Sequence, residues 1–123
     1  MATNVITATT VLRVNNGNVG VTSDDGKKQF DQTTAGGFGP GMVTITAAAE
    51  VEVDCSVVGT PGFVRLVNYD ATNFVKWGFA TGAYGAKVRA GGSALIELLA
   101  GQTSLFLRAD TADCQVTVNA TPL

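Results

Sequence analysis

Residues 61–81 read PGFVRLVNYDATNFVKWGFAT: an apolar run, a polar turn, and a second apolar run that carries the only tryptophan. Residues 63–69 and 74–79 fit strands. The second run sets Val75, Trp77 and Phe79 on one face and Lys76 on the other, the period of two that a half-buried strand needs. Between them Asn68, Asp70, Thr72 and Asn73 supply short polar side chains that bond nearby main chain, so this segment reads as a turn joining two strands. In that reading Trp77 is core and the polar residues are caps.

The same grammar continues toward the C-terminus. Residues 86–90, 95–99, 104–109 and 114–119 are strand-like runs, separated by small-residue turns around Gly82, Gly91, Gly101 and Asp110. Turn signals about every ten residues predict short antiparallel strands in a β-sandwich or a jelly-roll-like barrel. No segment carries a convincing helical period. About eight or nine strands are expected, with helix near zero.

Upstream, residues 42–58 hold the longest β signal. Val43 and Ile45 alternate with Thr44 and Thr46; Val51, Val53, Cys55 and Val57 then alternate with Glu50, Glu52, Asp54 and Ser56. Ala47, Ala48 and Ala49 mark a bend between the two registers. Residues 35–41, AGGFGPG, have too much glycine and proline for helix or strand and read as a partner-moulded loop. No lysine follows in phosphate-loop position, so this is no nucleotide cradle. Residues 3–14 suit a strand or an extended arm. Asn15, Asn16, Gly17 and Asn18 form a hairpin signal, Val19 and Val21 begin a return strand, and Asp24, Asp25 and Gly26 end it. A third short piece is expected over 28–33. The expected organisation is one β domain, with an arm and loop region over 1–42 and a compact sandwich over 43–123.

The 123 residues suffice for one core without metals or staples. Charged residues make up 15%, against roughly 25% in ordinary soluble domains, which fits either a weakly charged Thr- and Gly-rich β protein or a surface hidden in an assembly. Net charge is −2 and the eight basic residues are scattered, so no nucleic-acid footprint is expected. No apolar run is long enough to span a membrane as a helix. Residues 1–10 lack the features of a secretory leader, which predicts a product made in a cytoplasm.

With no histidine, the commonest general base is missing. The carboxylates fall in turns (Asp24, Asp25, Asp70, Asp110, Asp113) or on outward strand positions (Glu50, Glu52, Asp54), with no calcium-loop spacing. No catalytic, cofactor or metal residues are expected. Cys55 and Cys114 read as two small buried thiols, with a disulfide between neighbouring strands as the alternative. Candidate interface residues are Phe38, isolated among glycines, and Val5, Ile6, Val11 and Leu12 of the arm. The arm and the 35–41 loop are expected to order only on assembly.

FVRLVNYDATNFVKWGFAT, then KVRAGGSALIELLAG, then SLFLRADTADCQVTV, resembles a recurring class of small tailed-bacteriophage virion proteins over roughly residues 61–120. The matching positions are Asn68, Asp70 and Asn73 of an N-x-D-x-x-N turn, then Trp77, Gly78, Gly91, Gly92, Leu105, Leu107, Arg108 and Ala109. The resemblance implies a structural β-sandwich in the virion, above all a capsid decoration (cement) protein. Its partners would be the major capsid protein or other virion proteins, and it would form a homo-oligomer, a trimer first. Another head–tail, neck or tail-fibre part, or a carbohydrate- or receptor-binding module, is the alternative.

Overall fold

A computed structural model describes residues 5–123. The protein is all-β, with ten strands and one 3-10 turn among the described residues. It divides into two compact units, Met1–Ala35 and Gly36–Leu123. The boundary between these units lies at 35/36, whereas the sequence predicts an arm-and-loop region reaching 42 within one domain.

The first unit is one antiparallel hairpin, β1 (Val5–Asn16) and β2 (Val19–Asp31), joined through Gly17 and Asn18. Gly17 takes φ 56°, which L side chains rarely adopt, and this permits the tight reversal. Asp24, Asp25 and Gly26 do not end β2. Thr9 pairs with Lys27 but Val11 pairs with Asp24, so β2 carries one extra residue there. Gly26, at φ 71°, donates its N–H to Asp24 Oδ1 at 2.7 Å, and the turn signal is absorbed as a β-bulge. The third piece expected over 28–33 is the continuation of β2.

The second unit is a two-sheet sandwich. One sheet orders β3 (Gly39–Ile45), β10 (Cys114–Pro122), β5 (Pro61–Asn68) and β8 (Ser93–Glu97); the other orders β4 (Val51–Asp54), β9 (Ser104–Ala109), β6 (Val75–Gly78) and β7 (Ala86–Val88). Every pairing is antiparallel, and the sheets stay open instead of closing into a barrel. Eight strands divided in this order are the jelly-roll connectivity, in which successive strands swap between sheets except at the β6–β7 hairpin.

Alternation builds the core between the sheets. Ile45, Val64, Leu66, Val116 and Val118 point inward from the first; Val53, Val75, Trp77, Leu105 and Leu107 point inward from the second. The 3-10 turn Cys55–Val58 cuts the alternation of β4 short. Asp54 caps it by accepting from Ser56 N–H at 2.9 Å, so Cys55 remains buried while Val57, expected on the same face, is 68% exposed. The bend expected at Ala47–49 is present and has a purpose: it carries the chain from β3 in one sheet to β4 in the other. Arg108 holds it from β9, donating to the Ala47 carbonyl at 3.0 Å and the Ala48 carbonyl at 3.3 Å.

Gly39, Pro40 and Gly41 belong to β3, opposite Ala120, Asn119 and Val118. The loop expected over 35–41 is thus shorter. Proline is tolerated there because β3 is an edge strand, whose outward side needs no donor.

Candidate functional site

The 68–73 turn is the most concentrated polar cluster, and most of its hydrogen bonds go to main chain. Asn68 is fully buried. Its Nδ2 donates to the Asn73 carbonyl at 2.9 Å and the Val88 carbonyl at 3.3 Å, and its Oδ1 accepts from Asp70 N–H at 3.0 Å. Asp70 Oδ2 accepts from Asn73 N–H at 2.6 Å, Thr72 N–H at 3.0 Å and Asn73 Nδ2 at 3.1 Å. The Asn73 and then the Thr72 amides hold the Asp70 carboxyl below the usual carboxylate range. Asn73 Oδ1 accepts from the Thr111 hydroxyl at 2.6 Å, which ties in the β9–β10 loop. The three Asx residues are a clamp between strands, as their spacing predicts.

Trp77 is core, 7% exposed, with Phe79 edge-on at 5.6 Å. Phe79 itself lies past the end of β6 and is exposed, contrary to the three-residue apolar face expected there. Trp77, Gly78, Phe79, Ala80, Ala83, Gly85 and Ala86 line an open depression of about 440 Å³. Trp77 Nε1 is buried without a hydrogen-bond partner, while Gly78 is kept small by the Ala83 carbonyl, which a Cβ would strike. No carboxylate, amide or hydroxyl side chain lines the depression.

Both cysteines are free thiols and buried, so the disulfide alternative does not hold. Burial, reinforced by Asp54, pushes the Cys55 thiol up to about 11; burial also pushes Cys114 up, with Asp70, Asp113 and Asp110 adding to it. Neither is an activated nucleophile. Among the described residues no three His, Cys, Asp or Glu side chains gather where they could hold a metal ion. Among the described residues no helix is long and apolar enough to cross a membrane.

The hairpin offers a different kind of surface. Directly opposed residues share a face. Ile6 faces Phe30, Ala8 faces Lys28, Leu12 faces Ser23 and Val14 faces Val21. The other face carries Thr7, Thr9, Arg13, Thr22, Asp24, Lys27, Gln29 and Asp31, with Val5 and Val11. The arm residues singled out from sequence therefore split: Ile6 and Leu12 join the apolar face, Val5 and Val11 the polar one. Leu12 is 70% exposed, and Val14, Val21 and Phe30 are exposed beside it. Phe38 belongs to the other unit and is 75% exposed.

Sequence reasoning missed Val14, Val21 and Phe30. Counting outward from the Gly17 turn finds the first two. Phe30 requires the bulge, since an uninterrupted ladder would set it opposite Val5. Also missed was the bridge in which Glu50 Oε1 accepts from Gly82 N–H and from the Tyr84 hydroxyl, each at 2.8 Å.

Comparison with family models, with curated proteins and with solved structures returns no match.

Proposed function

We propose that this is a non-enzymatic structural protein of a virion, a capsid decoration (cement) protein that binds and stabilises the assembled phage head as a homo-oligomer. The observation carrying this reading is the division of the chain: a jelly-roll sandwich whose polar clamp is consumed internally, and a hairpin whose apolar face is exposed. A two-stranded ribbon is at best marginally stable in water, so such a face calls for a partner. Jelly rolls serve shell proteins, lectins and cupins alike, and architecture alone does not choose among them. The resemblance of residues 61–120 to phage virion proteins is what favours the shell reading.

The mechanism is mass action. A part that binds only the assembled shell stabilises it by its binding free energy, and several contacts around one capsid axis add avidity. A neck or tail part would use the same surfaces at a lower copy number. A sugar-binding module would need an exposed aromatic face beside hydrogen-bonding groups. The depression at Trp77 has a buried tryptophan and lacks those side chains.

Quantitative mass spectrometry of purified particles tests the proposal. The expected result is a fixed ratio to the major coat protein and a shell that resists heating better than one lacking the chain. Absence from particles, or a monomer that binds a glycan and ignores shells, contradicts it.

A further inference from the structure

The edges of the sheets are defended unequally. Exposed strand edges invite pairing, and proteins blunt them with proline, charge, bulges or shortness. In the sandwich, edge strand β3 carries Pro40, β8 has five residues and ends at Glu97, β4 has four with Glu52 and Asp54, and β7 has three with Lys87. In the hairpin, β2 carries the bulge at Asp25 and Gly26 together with Asp24, Lys27, Lys28 and Asp31. β1 has none of these devices. Its twelve residues, VITATTVLRVNN, contain no glycine, no proline and one charge, Arg13.

We propose that β1 pairs antiparallel with β1 of a second copy of this chain, across a two-fold axis, to give a four-stranded sheet ordered β2-β1-β1-β2. The symmetry selects this occupant. A two-fold perpendicular to a sheet leaves each face on its own side, so Ile6, Ala8, Leu12 and Val14 of one copy lie on the same side as those of the other. Arg13 meets no like charge unless the axis passes through it. Pairing also corrects what the lone hairpin lacks, because three or more strands with an apolar face are needed for independent stability.

The sizes agree. One hairpin face spans about 40 Å by 10 Å, about 400 Å², from twelve residues on two strands. Two make about 800 Å², what one partner contributes to a standard protein–protein interface. The pair therefore builds a docking face that neither copy has alone. This deepens the assembly reading and replaces the three-fold arrangement that the resemblance implied by a two-fold one. It rests on that reading only for its purpose, since the pair is measured without any particle.

Two measurements on the full-length chain test it. In sedimentation at about 100 µM, where micromolar association is nearly complete, the chain should run at twice its 12.6 kDa mass. Thr7→Lys/Thr9→Lys/Val11→Lys places like charges across the proposed seam while sparing the apolar face, and should give monomers. Thr22→Lys/Gln29→Lys, on the same face of β2, should leave the pair intact. Amide exchange by NMR supplies the second measurement, which does not depend on whether a variant keeps its hairpin. In a lone hairpin alternate β1 amides point outward and exchange fast; in the pair both sets are protected, the outward set only at high concentration. A monomer or trimer, a dimer that survives the three lysines, or an alternating β1 pattern at the highest concentration overturns the proposal. Loss of particle binding with the dimer intact would instead count against the virion reading.

Discussion

The hairpin and the sandwich are built from the same residue types and solve opposite problems. In the sandwich, period-two alternation on eight strands finds a facing sheet, and Ile45, Leu66, Leu105 and Leu107 are completely buried. In the hairpin the same alternation sorts apolar from polar residues just as cleanly, yet Leu12, Val14 and Val21 remain exposed. Patterning creates an apolar face; only topology decides whether the chain covers it. The sandwich spends its apolar face on its own stability, whereas the hairpin leaves one exposed.

That contrast is sharpest in the core. Leu107→Ala should cost about 2–5 kcal/mol through the lost contacts and the cavity left behind. Equilibrium unfolding followed by the fluorescence of Trp77, the only tryptophan, reads it directly. A next smaller effect is expected at Asn68, whose replacement by Ala strands the Asn73 and Val88 carbonyls and the Asp70 amide; about 1–3 kcal/mol should be lost by the same measurement.

Asp70 provides a pH handle on the same clamp. Its carboxyl is held below its ordinary value of 3.8 in the folded protein, by the Asn73 amide first and then that of Thr72. The carboxylate thus adds stability that is complete above that value and disappears as pH falls through the lower folded-state one. The stability gap between the protein and its Asp70→Asn variant should be widest near about pH 6 and close toward pH 2. A gap unchanged with pH would mean the amides are held by geometry alone.

The smallest effect belongs to the hairpin. Leu12→Asp should move the Trp77-reported unfolding midpoint by an amount equivalent to less than about 0.5 kcal/mol, as surface substitutions do, while weakening assembly. A large loss of sandwich stability from Leu12→Asp would break the division of labour proposed here.

Much of the sandwich was legible because its signals are local. The alternation of β5, β9 and β10, the bend at Ala47–49 and the cap chemistry of Asn68, Asp70 and Asn73 depend on neighbours in sequence. What escaped depends on partners far along the chain or on one backbone irregularity. Val57 looks buried until the Asp54 cap turns the chain after β4, and Pro40 looks incompatible with a strand until β3 is known to be an edge. The Glu50–Tyr84 bridge joins two residues outside the strands that nothing local connects. In the hairpin, a single bulge at Asp25 and Gly26 decides which face Phe30 joins, so the apolar surface could be read only in part. The arm was singled out as a region, not as a face.

Hydrogen exchange on the full-length chain, free and bound to purified particles, tests the central claim most directly. Binding should slow exchange across β1 and β2 and leave the amides of the sandwich core unchanged. Protection that appears instead on the sandwich turns, with the hairpin exchanging as fast on the particle as in solution, would contradict the account.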